Sequence, residues 1–482
     1  MSTPRRLIGA VTALVLALTA CTPTPLDRPT EPGPETEPEA FSWPDPSPAR
    51  PVVDLGFAVS DDLTTVQGWQ RVEFTPDLEV CELVFRLWPN KPFTAMRGNE
   101  LEVTRVVVDQ QAVASEVLSA GAPDDAVGTL LEVTLPSCVS AGTTLDAELD
   151  FSLTLGEGTD ERVGVARAGD AAWFGTAFPL LAWESDRGWA REPAVRVVGE
   201  MATSETFRLR SLEVVAPSRY EVLGTGELQG SSDDEAAGTT THRFTAPAVR
   251  DVTVSVGLLD VLSSEFDGVR LHVGAPRGGI RAPLRRWARE LEQSIRRVAD
   301  HLGPVPYEDI WVTVLPDQTD GIEFPGALQF GDVEPDEESW LVVHEVAHLW
   351  FYGLVGNNQA RDPWLDEAFA TFVQFVVDDE DPRESRPVPE HLTGQVGRPM
   401  THWTNFDRPS TSYVQGVYRA GGAALLEARD AAGPEAFDAA LIDYLHDNAH
   451  GIAVPADLEA ALAEHPEALR VLRRAGALPD ES

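Results

Sequence analysis

The chain has 482 residues, with 37 basic against 78 acidic side chains and a formal net charge of −41 at pH 7. Such a surface repels nucleic acid and anionic lipid headgroups, so a nucleic-acid partner is not expected. An apolar share of 43% is ordinary for a globular protein, and the length allows two or three domains around a large core.

The N-terminus has the order of an export signal. Arg5 and Arg6 precede an uncharged, mostly apolar run from Leu7 to Ala20. That run is shorter than the roughly 20 residues needed to cross a bilayer. It ends in Leu18-Thr19-Ala20-Cys21, which resembles a bacterial lipobox. Residues 1–21 are therefore expected to be a lipoprotein signal peptide with Cys21 as the lipid attachment point. A plain secretory signal with an incidental cysteine is the alternative. Residues 22–50 are rich in Pro, Glu and Thr. They lack the apolar side chains to bury a core and predict a disordered tether. The expected location is outside the cell membrane, on the cell surface or the periplasmic side.

From Pro51 the signal is β. Segments such as Thr65–Phe74 alternate in polarity, and clusters of Gly, Asp, Ser and Pro punctuate them. Residues 51–265 are expected to form a β-sandwich or saddle-like β domain. Cys81 and Cys138 lie beside strand-like runs, and an oxidising compartment permits a disulfide between them. Pairing requires Cα atoms within about 7 Å, a distance that sequence does not give. Near Pro276 the pattern changes. Leu284, Trp287, Leu291, Ile295, Val298 and Leu302 recur at helical spacing, a strand follows over 310–315, and helical patterns dominate after Glu337. Residues 266–482 therefore read as an α+β domain.

That domain carries His344-Glu345-Val346-Ala347-His348, an H-E-x-x-H pattern. Acidic residues 336–338 suit a helix start, and Gly353 or Gly356-Asn357 suits its end. Histidines four apart on a helix project from one face and reach one metal ion; the glutamate between them is rotated away and reaches a water at that ion. A catalytic zinc needs a third protein ligand and an open position. Asp362-Pro363 reads as an N-cap with proline at the first helical position. Glu367 follows at the start of that second helix, which an antiparallel pairing returns beside the histidines.

The set resembles the gluzincin zinc aminopeptidases, the family of alanyl aminopeptidase and leukotriene hydrolase. Asp320-Gly321-Ile322-Glu323-Phe324-Pro325-Gly326-Ala327 is similar to that family's G-A-M-E-N exopeptidase segment. Residues 364–370 resemble its W-L-N-E-G-F-A, and Tyr418-Arg419-Ala420-Gly421 resembles its Y-x-K-G. The resemblance implies a β domain followed by a thermolysin-like α+β zinc catalytic domain. It implies one zinc per chain held by His344, His348 and Glu367, with Glu345 as general base. It further implies Tyr418 as a hydrogen-bond donor to the oxyanion, Glu323 as the partner of the substrate α-amine, and peptides with a free N-terminus as substrates. The sequence departs from the family pattern at Phe324 and Asp366, where the family has Asn, and at Ala420, where it has Lys. It shows no counterpart of the large C-terminal helical domain of many relatives, so a more open cleft is expected. The implied activity is aminopeptidase; a zinc endopeptidase or other zinc hydrolase without amine anchoring, and a non-catalytic peptide-binding lipoprotein, are the rival readings. Oligomeric state is not encoded in any of these motifs.

Overall fold

Alternation of polarity along its strands gives the large N-terminal sheet one buried face, whereas strands such as Ala171–Gly175 and Asp309–Leu315 are buried on both. Leu145–Thr154 shows the alternation most cleanly, with buried and half-buried residues exchanging at every step. The fold is known from a computed structural model, which describes residues 41–480 apart from 159–160, 200–201, 317 and 386. Cys21, the signal segment and most of the expected tether lie outside the described residues. Described residues from Ser42 onward form one compact unit. Within the segment expected to be a tether, residues from 42 onward belong to that unit: the Trp43 indole donates to the Pro304 carbonyl at 2.7 Å and the Arg50 guanidinium to the Pro247 carbonyl at 2.9 Å. A large aromatic and a multivalent donor give that segment anchors that its composition as a whole does not suggest.

The N-terminal part is built from an eight-stranded sheet and two four-stranded sheets. Val52–Val59 and Thr65–Phe74 lie at the middle of the large sheet, paired antiparallel with each other. Cys81 and Cys138 are joined as a disulfide, with Cα atoms 4.0 Å apart. The Cys81 strand, Val80–Arg86, pairs with the Cys138 strand, Leu130–Val139.

The α+β part follows, in the order expected. Its five-stranded sheet runs Leu259–Phe266, Val269–Pro276, Asp309–Leu315, Ala327–Gly331 and Gly321–Phe324. This sheet therefore begins at Leu259, inside the segment that sequence assigns to the β domain. The helix Leu284–Leu302 buries Trp287, Leu291, Ile295, Val298 and Leu302, as its spacing predicts. The last strand in the order, Gly321–Phe324, is an edge, antiparallel to Ala327–Gly331. It lies against the helix Ser339–Ala347 that carries the histidine pair.

Candidate active site

The Ser339–Ala347 helix is shorter than its glycines suggest. It ends at Ala347, with His348 as its cap. Beyond it, backbone bonds shift to i−3 spacing at Leu349 and then to i−5 spacing, with Gly353 N–H on the His348 carbonyl at 2.9 Å. The following helix, Trp364–Val377, places Glu367 in its first turn. Asp362 is not its side-chain cap; that carboxylate turns to Arg361 Nε at 3.4 Å. Within the first turn, Asp366 Oδ1 accepts from the Glu367 N–H at 2.8 Å.

These elements bring His344, His348 and Glu367 together. His344 Nε2 and His348 Nε2 are 3.3 Å apart. Glu367 Oε2 lies 3.4 Å from the first and 3.5 Å from the second. Tetrahedral zinc with ligand bonds of about 2.0–2.2 Å puts its ligand atoms about 3.3–3.6 Å apart. The observed triangle has that size. Glu367 Oε2 is also buried without a hydrogen-bond partner, which is costly for a carboxylate oxygen unless a cation serves it. The Phe351 carbonyl lies 3.3 Å from His348 Nδ1. With the Nδ1 proton directed there, Nε2 is left as a lone-pair donor. The residues present fit a zinc ion.

The local field points the same way. Burial opposes charging of His348, but Glu323, Glu367 and Glu345 outweigh it and push the imidazole up to about 10. His344 is lowered, first by burial and then by the neighbouring His348. Burial tends to raise Glu367, yet the two imidazoles hold it well below the usual carboxylate range. A pocket whose carboxylates favour a proton on a buried histidine favours a divalent cation in its place.

Glu345 and Glu323 face the same space. Ligating atoms of Glu323, Glu345 and His348 all lie within 4.8 Å of one another. Gly321 makes this possible, since a Cβ there would sit 2.3 Å from the Glu345 Cγ. Tyr418 sits in the wide turn of helix Val414–Arg419, between the helices Pro409–Tyr413 and Ala420–Ala432. Such π-type turns occur often at functional sites. Its ring stacks on His344 at 5.8 Å, and its hydroxyl donates to Glu367 Oε1 at 2.6 Å. In this arrangement the Tyr418 hydroxyl supports the third ligand, and the residue lines the cavity above it. Gly421 permits the approach: a Cβ there would meet the Ala368 Cβ at 2.4 Å.

Asp366, where the resembled family has Asn, accepts from Gln359 Nε2 at 2.9 Å. Burial, and then the adjacent Glu367, push its carboxyl up to about 8. Both of its oxygens are held by N–H donors, Oδ2 by Gln359 and Oδ1 by Glu367.

A cavity of about 370 Å³ opens over this centre and takes in Glu323, His344, Glu345, Glu367 and Tyr418. Trp340, 47% exposed, and Val198 and Val414 are among its lining residues, an apolar rim over an acidic floor. Arg419 also lines it.

Three contributors were not read from the sequence. Arg162, fully buried in the β domain, donates to Glu323 Oε1 at 2.8 Å. Lys91, the only lysine of the chain, lies 3.3 Å from the cavity residue Glu161 and donates to the Gly199 carbonyl at 2.9 Å. Gln359 links the Ala202 N–H of the β domain to Asp366. The available signal was slight: a Glu161-Arg162 charge pair just before the wholly buried strand Val163–Val165.

Comparison with known proteins agrees with this geometry. Residues 334–473 match the peptidase family M1 domain. The Tricorn protease-interacting factor F2 of Thermoplasma acidophilum is 26% identical over 146 residues, covering 28% of this chain and 19% of that protein. Its counterpart in Thermoplasma volcanium is 27% identical over 129 residues, covering 24% of this chain and 16% of that protein. This chain thus spans less than a fifth of the length of these relatives. An M1 zinc metallopeptidase from Deinococcus radiodurans has the same fold, with a TM-score of 0.62 at 20% identity over 89% of this chain and 94% of that one. A variant of that enzyme bound to a Tyr-Ser-Ala substrate superposes with a TM-score of 0.62 at 19% identity, over 89% of this chain and 94% of its own.

Proposed function

We propose that this chain, which carries a match to the peptidase family M1 domain and the histidine pair and glutamates of the gluzincin aminopeptidases, is a zinc-dependent aminopeptidase. The observation that carries the reading is the placement of a second buried carboxylate, Glu323, beside the general-base candidate Glu345 and the metal ligands. A zinc hydrolase needs no such group. An enzyme that measures distance from a substrate ammonium does.

His344, His348 and Glu367 would hold the zinc. When bound, it lowers the pKa of a water to about 7 and polarises the scissile carbonyl. Glu345 takes the proton of the attacking water and returns it to the leaving amine. Glu323 pairs with the substrate ammonium and fixes which peptide bond lies over Glu345. The edge strand Gly321–Phe324 accepts the substrate backbone as an added strand. Tyr418, within reach of the ligand carboxylate, donates a hydrogen bond from its hydroxyl to the developing oxyanion once its bond to Glu367 is exchanged. Peptides are the proposed substrates, as in the Deinococcus relative described with Tyr-Ser-Ala.

The test pairs a free-amine aminoacyl anilide with its N-acetylated twin. The free amine is expected to be hydrolysed at least about a hundredfold faster by kcat/KM, the scale on which loss of a buried charge-assisted pair shows itself. Equal rates would remove the aminopeptidase reading and leave a zinc endopeptidase or another zinc hydrolase.

Export and anchoring through Cys21 belong to the same proposal. The basic start, the apolar run and the residue order before Cys21 support it, and so does a disulfide suited to an oxidising compartment. Cells given radiolabelled palmitate are expected to label the wild-type protein in the membrane fraction. Substitution of Cys21→Ser is expected to abolish that label, and retention of the label in the variant would refute acylation at this residue.

A further inference from the structure

We infer that Arg162 is the positioning residue of the amine anchor, so that preference for a free substrate amine is set from within the β domain. This rests on Glu323 as the group that receives the ammonium.

Arg162 grips one residue twice. Its Nη2 donates to Glu323 Oε1 at 2.8 Å and its Nη1 to the Glu323 backbone carbonyl at 3.0 Å. A fork that holds both the head and the base of one side chain restricts the torsions between them. The guanidinium is itself fixed. It lies over the Phe324 ring at 4.5 Å, and its Nη1 is 3.4 Å from both Thr176 Oγ1 and Asp251 Oδ2. Asp251 is held in turn by the Thr176 hydroxyl at 2.5 Å, the Tyr352 hydroxyl at 2.9 Å and the Val252 N–H at 2.7 Å. Arg162 and Asp251 have fully buried side chains, so neither touches substrate. Phe324 also gains a reason here. Its ring fills the space over Gly175, where a Cβ would lie 2.2 Å from it, and forms one wall for the guanidinium.

A buried ion pair alone is weak grounds for stability. The location of this one is informative. Its carboxylate belongs to the catalytic cavity, where a substrate ammonium can pair with it and an N-acetyl group cannot.

The experiment uses the full mature protein, loaded with zinc, and the same pair of anilides. Arg162→Lys keeps the charge but cannot bond the Glu323 carboxylate and carbonyl together with the same fork. It is expected to lower the free-amine preference by about tenfold or more through KM, with kcat within about threefold and zinc content unchanged. Glu323→Ala should lose the preference as well, and the double variant should lose no more than Glu323→Ala alone. Asp251→Asn, nearly isosteric, loosens Arg162 without emptying its site and should shift the preference in the same direction by less. Arg162→Lys and Asp251→Asn that lower the thermal midpoint yet keep the preference would overturn the inference. So would losses that add to that of Glu323→Ala. A wild-type enzyme without free-amine preference would overturn the anchor itself, and the inference with it.

Discussion

Substitution of Glu345→Gln is expected to reduce kcat by about 10²- to 10⁴-fold, the range that a positioned general base contributes. Zinc content and thermal midpoint should stay as in the wild type. Glu345 is 5% exposed and closely approached by Gly321, so the amide, which has nearly the same shape, enters the same space. It lacks the basicity to accept a proton from water. The change removes a proton acceptor and leaves the three ligand side chains in place, so the loss should fall on kcat, with KM for free-amine substrates little altered. Steady-state kinetics alongside metal analysis reads both. A variant that retains zinc and full turnover would assign the base to another residue.

Substitution of His348→Ala is expected to remove both metal and activity. His348 is 1% exposed, and its Nε2 closes two sides of the ligand triangle, to His344 and to Glu367. Loss of a group that merely supports a ligand costs about 10–100-fold in affinity, and loss of the ligand itself should exceed that. The variant also leaves Glu323, Glu345 and Glu367 near one another with one fewer cationic or metal-binding partner. The readouts are zinc per chain and the thermal midpoint with and without added zinc. Wild-type protein should gain stability with zinc, because an ion that binds only the folded state shifts the unfolding equilibrium. The variant should gain little. A variant that still binds one zinc tightly would place the ion elsewhere.

The parts of the site that were legible in the sequence are those written locally. His344 and His348 are one helical turn apart, and the period of the helix brings them together. Glu367 was found because its helix has a recognisable start, although Asp362 does not cap it in the way expected. The early end of the first helix, at Ala347, was hidden. The residues after it keep helix-compatible side chains while their backbone bonds change spacing, and no side-chain pattern records that change. The partner of Tyr418 was hidden for a related reason, since a wide helical turn changes which way a residue points without changing its neighbours in the chain. The partner of Arg162 was out of reach. Arg162 meets Glu323 across 161 positions, and nothing within a few residues of either announces the other. The β domain was read correctly as sheets, but its part in the active site depends on tertiary contacts that alternation of polarity does not encode.

Lys91 has a practical consequence. The chain contains no other lysine, and this one is 3% exposed, stacked on Trp88 with its ammonium 4.3 Å from the ring centre. Reagents that acylate lysine amines, including common biotin and dye esters and the coupling chemistry of amine-reactive sensor chips, meet no exposed lysine on the folded surface. Carbodiimide coupling through the abundant carboxylates is the better route to attaching this protein to a solid support, and side-chain amine labelling becomes a report of unfolding.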